Sequence, residues 1–345
     1  HASCAAYPTE VRIAVIGAGS WGTGFATLVG EANDVALWAR RPELAGRLEK
    51  TRENEEYLPG HMLGPSVMVT ADMAHALRGA ELVAIAVPSH GVRAVVELTR
   101  GLIEATVPVL SLSKGLEVGT LARMTEVIGE VLQGHEPSRI GVLTGPNLVQ
   151  ELVAGQPAAS VIAMTDSVCA GELQLALMGD VLRLYTNSDV IGSEVAGVVK
   201  NVIAIGAGIA DGMGYGDNTK AALVTRGLAE MTRLGVAVGG DPSTFLGLAG
   251  VGDLLATCSS VTSRNRRVGV ELGKGRRIAD IVTESRMVAE GVRSAEALLA
   301  FARRAGVEVP IAEEVGAVLR GERRPGDLVL ALMGRAAKPE RYGPA

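Results

Sequence analysis

Lysine is scarce in this chain, six residues against 27 arginines, so each lysine inside an apolar segment stands out. Arginine stays protonated in proteins, whereas lysine donates or accepts a proton once its pKa is depressed. Lys200 falls within VAGVVKN (195–201), off the apolar stripe of a helix, with Ala196, Gly197, Ile203 and Ala204 as helical neighbours. A glycine inside a helix costs ~1 kcal/mol relative to alanine, and Gly197, Gly206 and Gly208 crowd this segment. Close approach by another backbone or by a ligand would account for them. Lys114, in Ser113-Lys114-Gly115, follows the apolar run VPVLSL (107–112), and Thr144-Gly145-Pro146-Asn147 follows the next such run. Both fall where ligands gather in open α/β sheets, at the carboxyl ends of strands. Further on, Gly250-Val251-Gly252-Asp253 offers a carboxylate to orient a lysine. Ser263-Arg264-Asn265-Arg266-Arg267 offers a compact basic cluster suited to a phosphate. Taken singly, each has a plainer reading: a lysine snorkelling from a half-buried helix, an ordinary loop, a solvated helix start. None of the five histidines follows His135, and His61, His75, His90 and His135 read as loop or surface positions. A proton-transfer group in the second half of the chain must then be something other than histidine.

A second constellation binds rather than reacts. Gly17-Ala18-Gly19-Ser20-Trp21-Gly22 matches the dinucleotide fingerprint G-x-G-x-x-G, directly after a strand and opening a helix. The pattern serves a tight turn, close approach of backbone to a pyrophosphate and close packing of helix on strand, with the phosphates at the helix N-terminus. Roughly 20 residues on, an acidic residue would bind the 2′-hydroxyl of NAD; Trp38-Ala39-Arg40-Arg41 stands there instead. Two arginines suit the 2′-phosphate of NADP, so NADP(H) is the expected cofactor, with NAD(H) the other choice. A solvated arginine pair opening the next helix is the plainer reading.

These residues need a sheet behind them. Short apolar runs at 11–16, 34–39, 67–70, 82–87, 107–112 and 140–144 alternate with helical stretches, the pattern of a parallel sheet covered on both faces. Runs at 158–164 and 182–186 are candidates to extend it. From Asp189 onward the periodicity is helical, with Ile191, Val195, Val198, Val202, Ile205 and Ile209 marking one helix face. The expected fold is a Rossmann-type doubly wound α/β domain over 11–188 and an all-helical substrate and catalytic domain over 189–337. Residues 1–10 are expected outside the fold and 338–345 as a frayed tail.

Composition bounds the function. A chain of 345 residues fits two domains, and 48 % hydrophobic against 21 % charged residues excludes disorder. A net charge of −5 and 3 % aromatics argue against a nucleic-acid surface. No apolar run reaches the ~18 residues of a membrane span; 190–209 comes nearest, interrupted by Glu194 and Lys200. Cys4, Cys169 and Cys258 are odd in number and widely spaced, so free thiols and no metal site are expected. The first eight residues lack the charged and apolar regions of a signal peptide, and a cytoplasmic protein is expected. Of the 44 glycines, Gly17, Gly19, Gly22, Gly115, Gly145, Gly197, Gly250 and Gly252 are expected where backbone approaches a ligand.

Taken in order, the motifs resemble NAD(P)-dependent glycerol-3-phosphate dehydrogenase of the bacterial type. The resemblance runs from about 11 to 302 and rests on GAGSWGTGFA (17–26), NEEYLPG (54–60), AVPS (86–89) and SLSKG (111–115). Its most specific parts are LTGPN (143–147), the block 189–235, FLGLAGVGDLLATCSS (245–260) and SRNRRVG (263–269). It implies a Rossmann domain followed by a helical one, a homodimer, and reduction of dihydroxyacetone phosphate to sn-glycerol 3-phosphate for glycerophospholipid synthesis. It further implies that Lys200 is the general acid/base, that Lys114 contacts substrate and nicotinamide, and that Asp253 sits beside Lys200. Gly145, Asn147, Ser263, Arg264 and Asn265 would contact substrate. Ser20, Trp21, Arg40, Arg41, Val149, Val288 and Glu290 would contact the dinucleotide, with Arg264 close by. The chain departs from many relatives at Asn147 (Ser or Thr there), Val149 (Ala) and Gly24 (Ala). Asparagine still donates and accepts, so an adjusted contact is expected.

The implied mechanism has clear physical demands. As hydride reaches C2, the Lys200 ammonium would stabilise the developing oxygen charge and donate the proton, with Lys114 adding a second positive field. A lysine pKa of ~10.4 is too high for the reverse direction, so burial and Lys114 are expected to depress it while Asp253 opposes them. A dehydrogenase of a β-hydroxyacid or sugar acid is the nearest alternative. A cofactor sensor without turnover is the other, though it has no use for Lys200, Lys114 and Asp253 together.

Overall fold

Residues 10–284 and 289–334 are described by the computed structural model; the positions predicted for the two chain ends, and Val288, lie largely or wholly outside them. Alternating apolar side chains make a sheet with two buried faces. Its strands are β1 (Arg12–Ile16), β2 (Asp34–Trp38), β5 (Val67–Thr70), β6 (Leu82–Ile85), β7 (Val109–Ser111), β8 (Ile140–Thr144), β9 (Ala158–Ala163) and β10 (Leu182–Asn187). Between β2 and β5 lies a separate antiparallel hairpin, β3 (Glu53–Asn54) and β4 (Leu58–Met62). The order across the sheet is β10-β9-β8-β7-β6-β1-β2-β5. Every pair is parallel except β8 with β9. Ile13, Val15, Val35 and Leu37 enter the core on one face. Ala14, Ile16, Ala36 and Trp38 enter the core on the other. Seven helices accompany the strands: α1 (Ser20–Val29), α2 (Pro42–Thr51), α3 (Met73–Leu77), α4 (Val92–Glu97), α5 (Met124–Val131), α6 (Val149–Val153) and α7 (Ser167–Leu177). This is the expected Rossmann-type layer, with two differences. The antiparallel β9 and the hairpin were not anticipated, because strand direction leaves no mark on hydrophobic pattern and LPGHM has none.

After Asn187 the described chain is helical: α8 (Val190–Gly212), α9 (Asp217–Ala237), α10 (Pro242–Phe245), α11 (Asp253–Ser259), α12 (Arg264–Gly273), α13 (Ile278–Glu284), α14 (Glu290–Arg304), α15 (Pro310–Leu319) and α16 (Pro325–Met333). The expectation that α8 shows one apolar face is corrected, since residues 192–210 are all buried. A helix buried on all sides is the axis of a bundle, and α9, α11, α12, α14 and α15 surround it. By length and composition α8 is also apolar enough to cross a bilayer, despite Glu194 and Lys200; here its faces are covered by protein.

The glycines of α8 explain its closest neighbour. A Cβ at Gly208 would lie 2.1 Å from the Arg266 carbonyl oxygen, and one at Gly212 would lie 2.2 Å from that of Val270. In return, a Cβ on Gly269 of α12 would lie 2.1 Å from the Ile205 carbonyl oxygen. The two helices therefore touch backbone to backbone and run in the same direction. At the domain seam, buried Glu194 accepts from Arg123 Nη1 (2.7 Å), the Thr125 amide (2.9 Å) and Thr125 Oγ1 (2.6 Å). Burial raises its pKa, and the Arg123 charge opposes that rise. The contact ties α8 to the start of α5. Cys169 and Cys258 are free and buried.

Candidate active site

Three charged side chains from three separate segments meet between the domains. Asp253 opens α11 directly after a π-helical turn, Leu248–Gly252, a rare geometry that recurs at functional sites. One carboxylate oxygen, Oδ1, accepts from Lys200 Nζ. The other, Oδ2, accepts from Lys114 Nζ at 2.8 Å. Lys200 also donates to Thr257 Oγ1 at 2.9 Å. Lys114 donates to Asn147 Oδ1 at 3.0 Å and to the Gly145 carbonyl at 3.2 Å. The Lys200 side chain is 7 % exposed, so it does not snorkel. The carboxylate and the Thr257 hydroxyl replace the water an ammonium would otherwise keep.

Electrostatics follow from this geometry. Burial brings the Lys200 pKa down to about 7; Asp253 opposes the fall and Lys114 adds to it. Burial pushes the Asp253 pKa up, but the Lys114 and Lys200 charges outweigh it and hold it below the usual carboxylate range. The cluster therefore holds one carboxylate between two lysines, of which Lys200 titrates near neutrality. Asn147 uses its oxygen on Lys114, which leaves its buried Nδ2 without a partner among the described residues. A donor of that kind fits an oxygen-bearing substrate beside Lys114.

Residues predicted for the phosphate side lie at the start of α12. Ser263 is the N-cap of α12, its Oγ accepting from the Arg266 amide at 3.3 Å. Asn265 is buried and engaged at both ends of its amide: Nδ2 donates to Asn201 Oδ1 at 2.9 Å, and Oδ1 accepts from the Gly291 amide at 2.9 Å. It locks α12 and α14 onto the residue that follows Lys200. Arg264 lies in the first turn of α12, in the field of Glu290. Glu290 is itself buried enough to have a raised pKa and accepts from Ser89 Oγ at 3.2 Å. Thr257 and Asn201 were not singled out from sequence. Thr257 was findable, because it lies four residues after Asp253 on one helix face.

The nucleotide loop leaves a cradle. Gly17 has φ +124°, and a Cβ there would lie 2.6 Å from the Ala86 carbonyl oxygen. A Cβ at Gly22 would collide with the Gly17 carbonyl oxygen at 1.9 Å. Among the described residues nothing lies within 4 Å of the Cβ position of Gly19, so their packing does not demand that glycine. The start of α1 has no side-chain cap and no acidic residue in its first turn, which leaves the amides of Ser20, Trp21 and Gly22 to receive an anion. Buried Trp21 Nε1 has no acceptor among the described residues. These features fit a dinucleotide pyrophosphate. Elsewhere the expectation of backbone meeting ligand is corrected. Gly115 faces Ser89 Oγ, Gly197 faces the Lys114 stem and Gly250 faces the Phe245 backbone.

Val149 fills the space above Gly24: a Cβ on Gly24 would lie 2.1 Å from Val149 Cγ2. The two departures noted in the sequence are thus one exchange of volume. Gly24→Ala is expected to destabilise the chain by ~1–3 kcal/mol through overpacking, and Val149→Ala in the same chain to recover most of that. Denaturant midpoints of the two single variants and the double variant read the coupling; additive losses would contradict it. Of the predicted cofactor cations, Arg41 is bound by both oxygens of Glu56 at 2.7 Å, whereas Arg40 is exposed and has no ion-pair partner among the described residues. Among the described residues no group of three or more His, Cys, Asp or Glu is arranged for a metal ion.

Comparison with known proteins gives a consistent answer. Residues 12–170 match the family model described as NAD-dependent glycerol-3-phosphate dehydrogenase N-terminus, and residues 189–330 match its C-terminus. A glycerol-3-phosphate dehydrogenase (NAD(P)+) 2 from Sphingopyxis alaskensis is 49 % identical over 333 residues, 96 % of this chain and 99 % of that protein. One from Streptomyces coelicolor is 50 % identical over 333 residues, 96 % of this chain and 98 % of that protein. The crystal structure of glycerol-3-phosphate dehydrogenase from Coxiella burnetii superposes with TM-score 0.89 at 34 % identity, covering 95 % of this chain and 100 % of that one. The chain belongs to the NAD-dependent glycerol-3-phosphate dehydrogenase family.

Proposed function

We propose that the chain reduces dihydroxyacetone phosphate to sn-glycerol 3-phosphate, with Lys200 as general acid in that direction and general base in reverse. The observation that carries this reading is the buried Lys200–Asp253–Lys114 cluster, with the Lys200 pKa brought to about 7. The nicotinamide, when bound, gives or takes the hydride at C2. Lys200 holds its proton toward the forming alkoxide and then releases it to that oxygen. Lys114 and the unpartnered Asn147 Nδ2 steady the same end of the substrate, beside the Gly145 carbonyl. Asp253 keeps both ammonium groups in place without taking their protons. Arg264 and the first turn of α12, capped by Ser263 and anchored by Asn265, receive the phosphate, so binding away from C2 orients the reacting carbon.

We infer NADP(H) as the preferred cofactor over NAD(H), because β2 leads into Arg40 and Arg41 with no carboxylate for a 2′-hydroxyl. Arg41 can reach a phosphate only by leaving Glu56, an exposed pair of small worth. Family membership also supports a homodimer, a cytoplasmic setting, a role in glycerophospholipid synthesis, and dinucleotide contacts by Val149, Glu290 and Val288, the last lying outside the described residues.

The test is an oxidation assay with NADPH and with NADH, using dihydroxyacetone phosphate, dihydroxyacetone and a panel of ketoacids. Charge-assisted hydrogen bonds contribute ~1.5–3 kcal/mol each, so the phosphorylated ketone should exceed the free ketone by ~10²-fold or more in kcat/KM. Faster turnover of a ketoacid would replace the reading with a hydroxyacid dehydrogenase. NADPH binding with no turnover of any of them would leave a sensor.

A further inference from the structure

Two arginines and a histidine outside the proton-transfer cluster lie where the helical layer meets the sheet layer. Arg40 follows β2, His90 lies in the short turn Ser89–Gly91 after β6, and Arg293 is on α14. In the sheet β6, β1 and β2 are neighbours, so Arg40 and His90 flank the fingerprint loop at the carboxyl ends of these strands. Arg293 Nη1 is 3.1 Å from His90 Nδ1 and 3.0 Å from His90 Nε2, a contact that crosses from the helical layer to the sheet layer. A guanidinium only donates, so the ring accepts and is neutral at that nitrogen. Burial, then the charges of Arg293 and Arg40, depress the His90 pKa, which sets Arg40 within electrostatic reach of the pair.

The surroundings do not neutralise this group. Among the described residues neither Arg40 nor Arg293 forms an ion pair, while the neighbouring Arg41 is held by Glu56. Glu290 feels the charge of Arg293, but it is bonded to Ser89 and also in the field of Arg264. One guanidinium bonded to a neutral imidazole and a second within electrostatic reach of it, neither in an ion pair among the described residues, favour an anion between them. The ligand that the adjacent fingerprint loop fits carries such an anion, if it is NADP(H), on the ribose at the end of β2.

We propose that Arg293, from the helical layer, completes with Arg40 the pocket for the adenosine 2′-phosphate, with His90 holding the Arg293 guanidinium in position. The assignment rests on the NADP(H) preference inferred above and names its second cation as Arg293 rather than Arg41. Recognition of the 2′-phosphate then joins both layers of the molecule.

The experiment is calorimetric titration of the full chain with adenosine 2′,5′-bisphosphate and with adenosine 5′-monophosphate. Wild type should favour the bisphosphate. In Arg293→Ala the ratio of the two affinities should fall about tenfold, the worth of one charge-assisted contact. Arg293→Lys should restore part of the ratio, and Arg293→Gln should not. An unchanged ratio in Arg293→Ala, or an equal loss for both ligands, would overturn the proposal and reduce the contact with His90 to a prop between layers. Should Arg293→Ala fail to fold, the Lys and Gln variants decide on the same criterion. A wild type that does not distinguish the two ligands would sink the NADP(H) preference itself, and this assignment with it.

Discussion

Lys200→Ala is expected to lower kcat for dihydroxyacetone phosphate reduction by ~10²–10⁴-fold, the range that general acid–base catalysis supplies. The expectation rests on position as much as on residue type. Lys200 is buried on the central helix, held by Asp253 and Thr257, and burial brings its pKa to about 7. Reduction uses the protonated lysine, so its kcat/KM should fall as pH rises through neutrality. Oxidation uses the free amine, so its rate should climb over the same interval. Lys200→Arg separates charge from proton transfer, because arginine keeps the positive field but cannot release a proton. It should remain as slow as Lys200→Ala within about tenfold, and both variants should lose the pH limb near 7. A Lys200→Ala enzyme with turnover within tenfold of wild type would remove Lys200 from the mechanism.

The second large effect is expected from Asp253→Asn. In the intact protein, one carboxylate serves two ammonium groups, at 2.8 Å from Lys114 and in direct contact with Lys200. Removing one member of a buried charge group costs ~3–5 kcal/mol, because the remaining charge is left uncompensated. Asp253 is also what raises the Lys200 pKa against burial and Lys114. Its loss must move that pKa down, so both pH limbs should shift to lower pH and reduction at neutral pH should weaken most. Denaturant titration and pH–rate profiles read the two effects separately. A profile that keeps its position, together with an unchanged denaturant midpoint, would mean that Asp253 neither holds nor tunes Lys200.

Much of this site was legible because its residues are chemically unusual in their context. A lone lysine among glycines and β-branched residues, and an aspartate in a glycine turn, announce themselves even before they are brought together. Strands such as Val67–Thr70 and Ile140–Thr144 were legible for the opposite reason, being plain apolar runs with clear ends. What was not legible depended on partners distant in sequence. The Arg41–Glu56 pair, made by the β3–β4 hairpin, could not be read from sequence. Nor could sequence show that Ser263 caps α12 or that Asn265 ties it to Asn201 and Gly291. The all-round burial of α8 was hidden because its second face is made of alanine and glycine, which weigh little in a hydrophobic pattern.

The backbone contact between α8 and α12 has a consequence for which molecules can react. Lys200 and the Asn201–Asn265 bond stand at one end of a contact that continues through Gly208, Gly212, Gly269 and Gly273. Side chains change rotamer to accommodate a ligand, but two main chains in van der Waals contact have nothing between them to give way. The interval between the proton-carrying lysine and the first turn of α12 is therefore a fixed gauge. With the phosphate on the first turn of α12 as proposed, a ketone whose charged end lies one carbon farther from its carbonyl is expected to lose kcat/KM, because the main chains that set this interval cannot part to receive it.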